Sequence, residues 1–210
     1  LIGLNKSFIS TSSSLAISPI TQKADSLYSV GEIEASSSFA EVALFMHKNN
    51  HDTTSLSYAN TLRVVGNSQY RLSNFEEAAN YLKESIRVFE TYLHEECFYY
   101  PLAMISLAVC IAETNEFEKS IPLGEKAIEY IRNHIGERSS LYAKALSEHG
   151  YNLMYEGDFL NSKIMCNDAV NIYREIADTN SIDYANALAY YAETISYLGD
   201  YETSLQINKY

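Results

Sequence analysis

Ser181-Ile182-Asp183-Tyr184-Ala185 is followed by Ala192 and then by Gly199-Asp200-Tyr201-Glu202 with Ser204. The parts of this stretch recur upstream at an offset of 42 residues, without insertion. Tyr184 is matched by Tyr142, Tyr100 and Tyr58. The alanine after it is matched by Ala143 and Ala59, and in the remaining unit by Pro101, which the first turn of a helix tolerates. Three residues before the tyrosines stand Ser181, Ser139 and Ser55, with Cys97 as the exception. Serine there predicts a helix N-cap, because its hydroxyl satisfies a backbone N–H that has no partner within the helix.

Further columns follow in the same phase. Ala192 is matched by Gly150, Ala108 and Gly66, and Ser204 by Ser162, Ser120 and Ala78. Between them lie short breaks ending in an aromatic: Ser73-Asn74-Phe75, Asn115-Glu116-Phe117, Gly157-Asp158-Phe159 and Gly199-Asp200-Tyr201. Ser85, Ala127 and Ala169 form another small column, each followed by an aliphatic residue. The spacing predicts two helices per unit, for example over 56–72 and 75–93, joined by a turn short enough to force them antiparallel. One such hairpin cannot bury its apolar face alone, so the units must stack. The register also reaches back to Gly31-Glu32-Ile33, with Ser36, Ala43 and Leu44 in phase. The chain thus divides into an irregular tail (1–18), a degenerate first unit (19–57), units over 58–99, 100–141 and 142–183, and a truncated unit over 184–210.

These columns resemble the tetratricopeptide repeat (TPR), in the 42-residue form of the kinesin light chains. The resemblance implies an all-α, right-handed α-solenoid of stacked antiparallel helical hairpins whose function is protein–protein interaction. Similar arrays in some bacterial proteins are joined to a caspase-like protease domain. A regulatory or sensor arm of a larger protein, changing curvature on binding, is therefore the alternative reading. Further repeats or a C-terminal domain beyond Tyr210 are expected. The chain departs from the light-chain pattern at Val64, Ser106, Glu148 and Tyr190, where that family carries asparagines. Its mode of peptide binding is therefore not carried over.

Composition narrows the function. Fifteen Lys and Arg stand against 27 Asp and Glu, a net charge of −12. That disfavours a nucleic-acid backbone and an anionic membrane surface as partners. No apolar run reaches the ~18 residues of a membrane span. Cys97, Cys110 and Cys166 form no C-x-x-C pair, which suits a reducing compartment such as the cytoplasm. Glycine-rich phosphate loops and a Gly-x-Ser-x-Gly elbow are absent, so neither an enzyme nor a cofactor is expected. His47 and His51, four apart, read as a helix end rather than a metal site, and the pair His94 and Cys97 as ordinary junction residues.

The binding surface is expected on the inner face formed by the first helix of each hairpin, the face that binds ligands in this family. Its residues are Asn60, Arg63, Asn67 and Arg71, then Ile105 and Val109, then Lys144, Tyr151 and Tyr155, then Tyr197. Arginines and a lysine beside apolar anchors suggest a protein or peptide ligand carrying an acidic group. A carboxylate clamp is disfavoured, because Ser106 and Glu148 occupy two of the places it would need.

Overall fold

The computed structural model describes residues 19–92 and 97–207. The expected tail over 1–18 and His94 lie outside the described residues. Among the described residues there are ten helices and no strand. They fall into two compact units, Leu1–Cys97 and Phe98–Tyr210.

The first unit contains α1 (Pro19–Ser29), α2 (Ile33–Asn49), α3 (Leu56–Arg71) and α4 (Phe75–Glu90). Consecutive helices pack together, and α1 also packs on α3. The second contains α5 (Tyr99–Ala112), α6 (Phe117–His134), α7 (Ser140–Glu156), α8 (Phe159–Glu175), α9 (Ile182–Tyr197) and α10 (Tyr201–Ile207). Here too each helix packs on the next, and the first helices of neighbouring hairpins pack side by side, α5 on α7 and α7 on α9. Each unit is thus a stack of antiparallel hairpins in which the first helices form one continuous layer. Met104, Leu107, Ile131, Leu146, Val170 and Tyr173 fill the core of the second unit, and Leu62, Val65, Leu82 and Phe89 that of the first.

Local chemistry sets the boundaries. Ser55, Ser139 and Ser181 cap α3, α7 and α9, each hydroxyl accepting from the backbone N–H of the repeat tyrosine three residues on, at 3.1–3.2 Å. The hairpin turns share one backbone feature: Gly31, Ser73, Asn115, Gly157 and Gly199, spaced by 42 residues, all have φ between 60° and 102°. Glycine takes this left-handed conformation without steric cost, whereas Ser73 and Asn115 adopt it against their side chains.

A buried serine ties every second helix but α4 to its neighbours. The hydroxyls of Ser36, Ser120 and Ser204 donate to the carbonyls of Ala24, Ala108 and Ala192 on the helix before, at 2.8–2.9 Å. Ser36 and Ser120 also accept from the following hairpin, from Ser68 Oγ and Asn152 Nδ2, both at 3.0 Å. Ser162 joins Thr194 of the next hairpin at 2.8 Å. The column is interrupted at Ala78, which has no hydroxyl to offer.

These bonds require closely approaching backbones, which the small column allows. A Cβ on Gly150 would stand 2.7 Å from Cys166 Sγ and 3.3 Å from the Ser162 carbonyl. One on Gly66 would stand 2.7 Å from Leu82 Cγ. Gly150→Leu is therefore expected to destabilise the protein by ~1–3 kcal/mol or more in denaturant unfolding. Glu76→Ala, an exposed change on the first turn of α4, is expected to leave the midpoint unchanged.

Candidate peptide-binding face

The residues expected to bind peptide divide between the two units. In the first unit, α1 takes over the face that α3 was expected to present. Arg63 is only 4% exposed. Its Nη2 donates to both carboxylate oxygens of Asp25 on α1 at 3.0 Å, and its Nε donates to Asn60 Oδ1 at 2.9 Å. Thr21 of α1 meets Thr61 of α3 at 2.7 Å. Asn60 and Asn67 are buried as well. Arg71 alone of the four is exposed, with its guanidinium 5.9 Å from the centre of the Tyr28 ring. Arg63, Asn60 and Asn67, expected to offer polar groups to a ligand, are thus buried in this structure. A buried guanidinium must be paired, and Asp25 of the degenerate first hairpin pairs it.

In the second unit the face is open. Ile105 is an exception, being buried, while Val109 beside it is half-buried. On α7, Tyr151 is half-buried and Tyr155 is 55% exposed. The Tyr151 hydroxyl donates to that of Tyr155 at 3.0 Å, with the rings edge to face at 4.8 Å. Tyr151 also stacks on Tyr190 of α9, centroids 4.2 Å apart. Two turns further along α9, Tyr197 is 60% exposed and stacks on Phe159 at 5.2 Å. Lys144 reaches from α7 to Asp183 on α9, Nζ to Oδ1, at 2.6 Å.

Two contributors were not assigned from the sequence. Tyr190 was read only as a departure from another family's asparagine, and Glu148 only as a group that would repel a carboxylate. Asp183, Tyr190 and Tyr197 are spaced by seven residues on α9, a helical spacing that puts all three on one side of it. Glu148, in the Tyr190 column one repeat earlier, is hydrogen-bonded to Tyr190.

The face is electrostatically unusual. Removal from water pushes the Glu148 carboxyl up to about 7, with Lys144 opposing that rise and Asp183 adding to it. Burial likewise raises the Tyr151 phenol, helped by its bond to Tyr155 and by the charges of Glu193 and Glu113.

Little else suggests chemistry. Among the described residues no group of three or more His, Cys, Asp or Glu is placed to hold a metal. His47 Nδ1 meets Asp52 Oδ2 at 2.8 Å, and Asp52 also accepts from the Ser55 hydroxyl at 2.8 Å, so this histidine braces the α2–α3 connection. His149 is buried against Gly124, where a Cβ would approach its Nδ1 to 2.4 Å, and burial lowers its pKa. Burial pushes the Cys166 thiol up to about 12, well away from thiolate reactivity. No described helix is long and apolar enough to cross a membrane.

No protein-family profile matches the chain, and no curated protein matches it by sequence. Solved structures do match. BtubC (BKLC) from P. vanneervenii superposes with a TM-score of 0.70 at 16% identity, over 90% of this chain and 75% of that one. The nearly identical TPR-like repeats of a Podosopora anserina kinesin light chain give 0.68 at 10% identity, over 90% of each chain. This chain has the TPR fold. A Rap protein complexed with Competence and Sporulation Factor gives 0.78 at 15% identity, over 90% of this chain and 50% of the Rap chain, so this TPR chain spans about half the length of that protein.

The half-buried carboxyl within the TPR face makes a pH prediction. The folded-state pKa of Glu148 is raised, so folding favours its protonated form. Its contribution to stability is fully present below the unfolded value of 4.5 and is lost as pH rises through about 7. Glu148→Gln removes that dependence. Unfolding measured in denaturant is expected to show the variant gaining on the natural chain between pH 5 and pH 8, by on the order of 1–3 kcal/mol.

Proposed function

We propose that this TPR array is a protein-interaction module that holds an extended or helical segment of a partner on the first-helix layer of the Phe98–Tyr210 unit. The observation that carries this reading is the tyrosine group Tyr151, Tyr155, Tyr190 and Tyr197. It leaves aromatic area and hydroxyls at the surface of the layer. Tyrosine gives large contact area with little side-chain entropy to lose, and binding energy concentrates in such residues. Val109, half-buried on α5, stands in the Tyr151 column one repeat earlier and adds apolar surface to the layer. The Rap protein in complex with Competence and Sporulation Factor supports a peptide or protein as the kind of ligand, as does the TPR protein YrrB, whose structure is described as having an unusual peptide-binding site.

Selection of binders from a random peptide display library supplies the ligand for the test. Tyr151→Ala and Tyr155→Ala are each expected to weaken binding of the selected peptides by ~1 kcal/mol or more while circular dichroism stays unchanged. Lys83→Ala, exposed on the second helix α4, is expected to be silent. Peptides whose binding ignores both tyrosines and fails on changes to second helices would move the site off this face.

A further inference from the structure

We infer that the segment this tyrosine face accepts is cationic, an arginine- or lysine-bearing stretch whose charged heads sit over the tyrosine rings and between the carboxylates of α5 and α9. The inference rests on the reading of this layer as the binding face and adds the chemistry of its partner. It also reverses the acidic ligand expected from the sequence.

The charge of the layer points one way. Across α5, α7 and α9 the only Lys or Arg is Lys144, and it is bound to Asp183 at 2.6 Å. Against it stand Asp183 and Glu193 on α9, and Glu113 at the end of α5. Glu193 lies on α9 and Glu113 at the end of α5, the two helices packed on either side of α7, so the helix that carries Tyr151 has an acid on each neighbour. The arginines that suggested an acidic ligand belong to the other unit, where Arg63 is spent on Asp25.

The ring chemistry points the same way. The electron-rich face of tyrosine attracts a guanidinium or ammonium group, and more strongly where carboxylates lie nearby. The chain already uses this pairing. Arg132 lies 5.8 Å from the centre of the Tyr142 ring and donates to its hydroxyl at 2.8 Å. Arg174, one repeat later, donates to the Tyr184 hydroxyl at 3.2 Å. Tyr155 and Tyr197 are tyrosines with most of their surface open, on helices that carry acids and no arginine. An acidic segment laid on them would bring carboxylate against carboxylate.

Three fluorescent peptides of one length and one apolar pattern, carrying Arg, Ser or Glu at the charged positions, form the probe set. Binding to the full chain is read by anisotropy. The arginine peptide is expected to bind at least about tenfold more tightly than its glutamate counterpart. Its advantage should shrink as ionic strength rises from about 0.05 to about 0.5 M. Glu113→Gln with Glu193→Gln is expected to weaken the arginine peptide several-fold and leave the serine peptide and the melting temperature unchanged. Tyr155→Ala should weaken the arginine peptide while the fold persists. Equal or tighter binding of the glutamate peptide, still dependent on Tyr151 and Tyr155, overturns the cationic inference and leaves the face standing. Failure of the arginine peptide to bind also overturns it. Binding of the arginine peptide that is indifferent to Tyr151→Ala and Tyr155→Ala overturns the assignment of the face itself.

Discussion

The structure depends on a buried hydroxyl that must find two partners. Ser120 on α6 lies out of water, donates to the Ala108 carbonyl within its own hairpin and accepts from Asn152 in the next. Ser36 does the same between Ala24 and Ser68. A buried polar group left without partners costs ~1–3 kcal/mol, so each such serine admits only arrangements in which the hairpin is closed and its neighbour is docked in register. Dispersion and apolar burial supply most of the favourable energy, and they are non-directional. The serine column adds directional bonds, and a slip breaks both of them at once. Alanine at Ala24, Ala108 and Ala192 brings the backbones close enough for the hydroxyl to reach.

Because the hairpins are pinned along this inner seam, their first helices lie side by side and their outward residues form columns. Tyr151 can then stack on Tyr190 from the adjacent helix, and Lys144 can reach Asp183, each across a repeat boundary. The same alignment closes the layer in the first unit, where Asp25 on α1 meets Arg63 on α3. One architecture thus yields a sealed polar face in one unit and an open aromatic one in the other. The difference lies in side chains at equivalent places on neighbouring first helices.

Much of this was legible in the sequence, because it is periodic. The 42-residue offset exposed the serine caps and the small columns, and residues in phase over several units must share an environment. The helix ends were legible to within three residues: α4 ends at Glu90 rather than 93, since nothing in the apolar pattern marks the loss of the last turn. What periodicity could not convey was who meets whom across a boundary. Arg63 looked like a cation presented to a ligand, because its partner Asp25 is 38 residues away in the least regular unit. Tyr190 and Glu148 were visible residues without a visible relation until α7 and α9 were placed side by side. The serine column was read as merely small, and its hydrogen bonds emerged only from the coordinates.

The most direct measurement is a double-mutant cycle on the staple between two hairpins. Ser120→Ala, Asn152→Ala and the double variant are unfolded in denaturant, and the coupling between the two changes is taken from the four midpoints. The account predicts that each single change is costly and that the pair costs less than their sum by on the order of 1 kcal/mol, since removing one partner already strands the other. Strict additivity of the two changes would contradict it, and would leave apolar packing alone to set the register of the repeats.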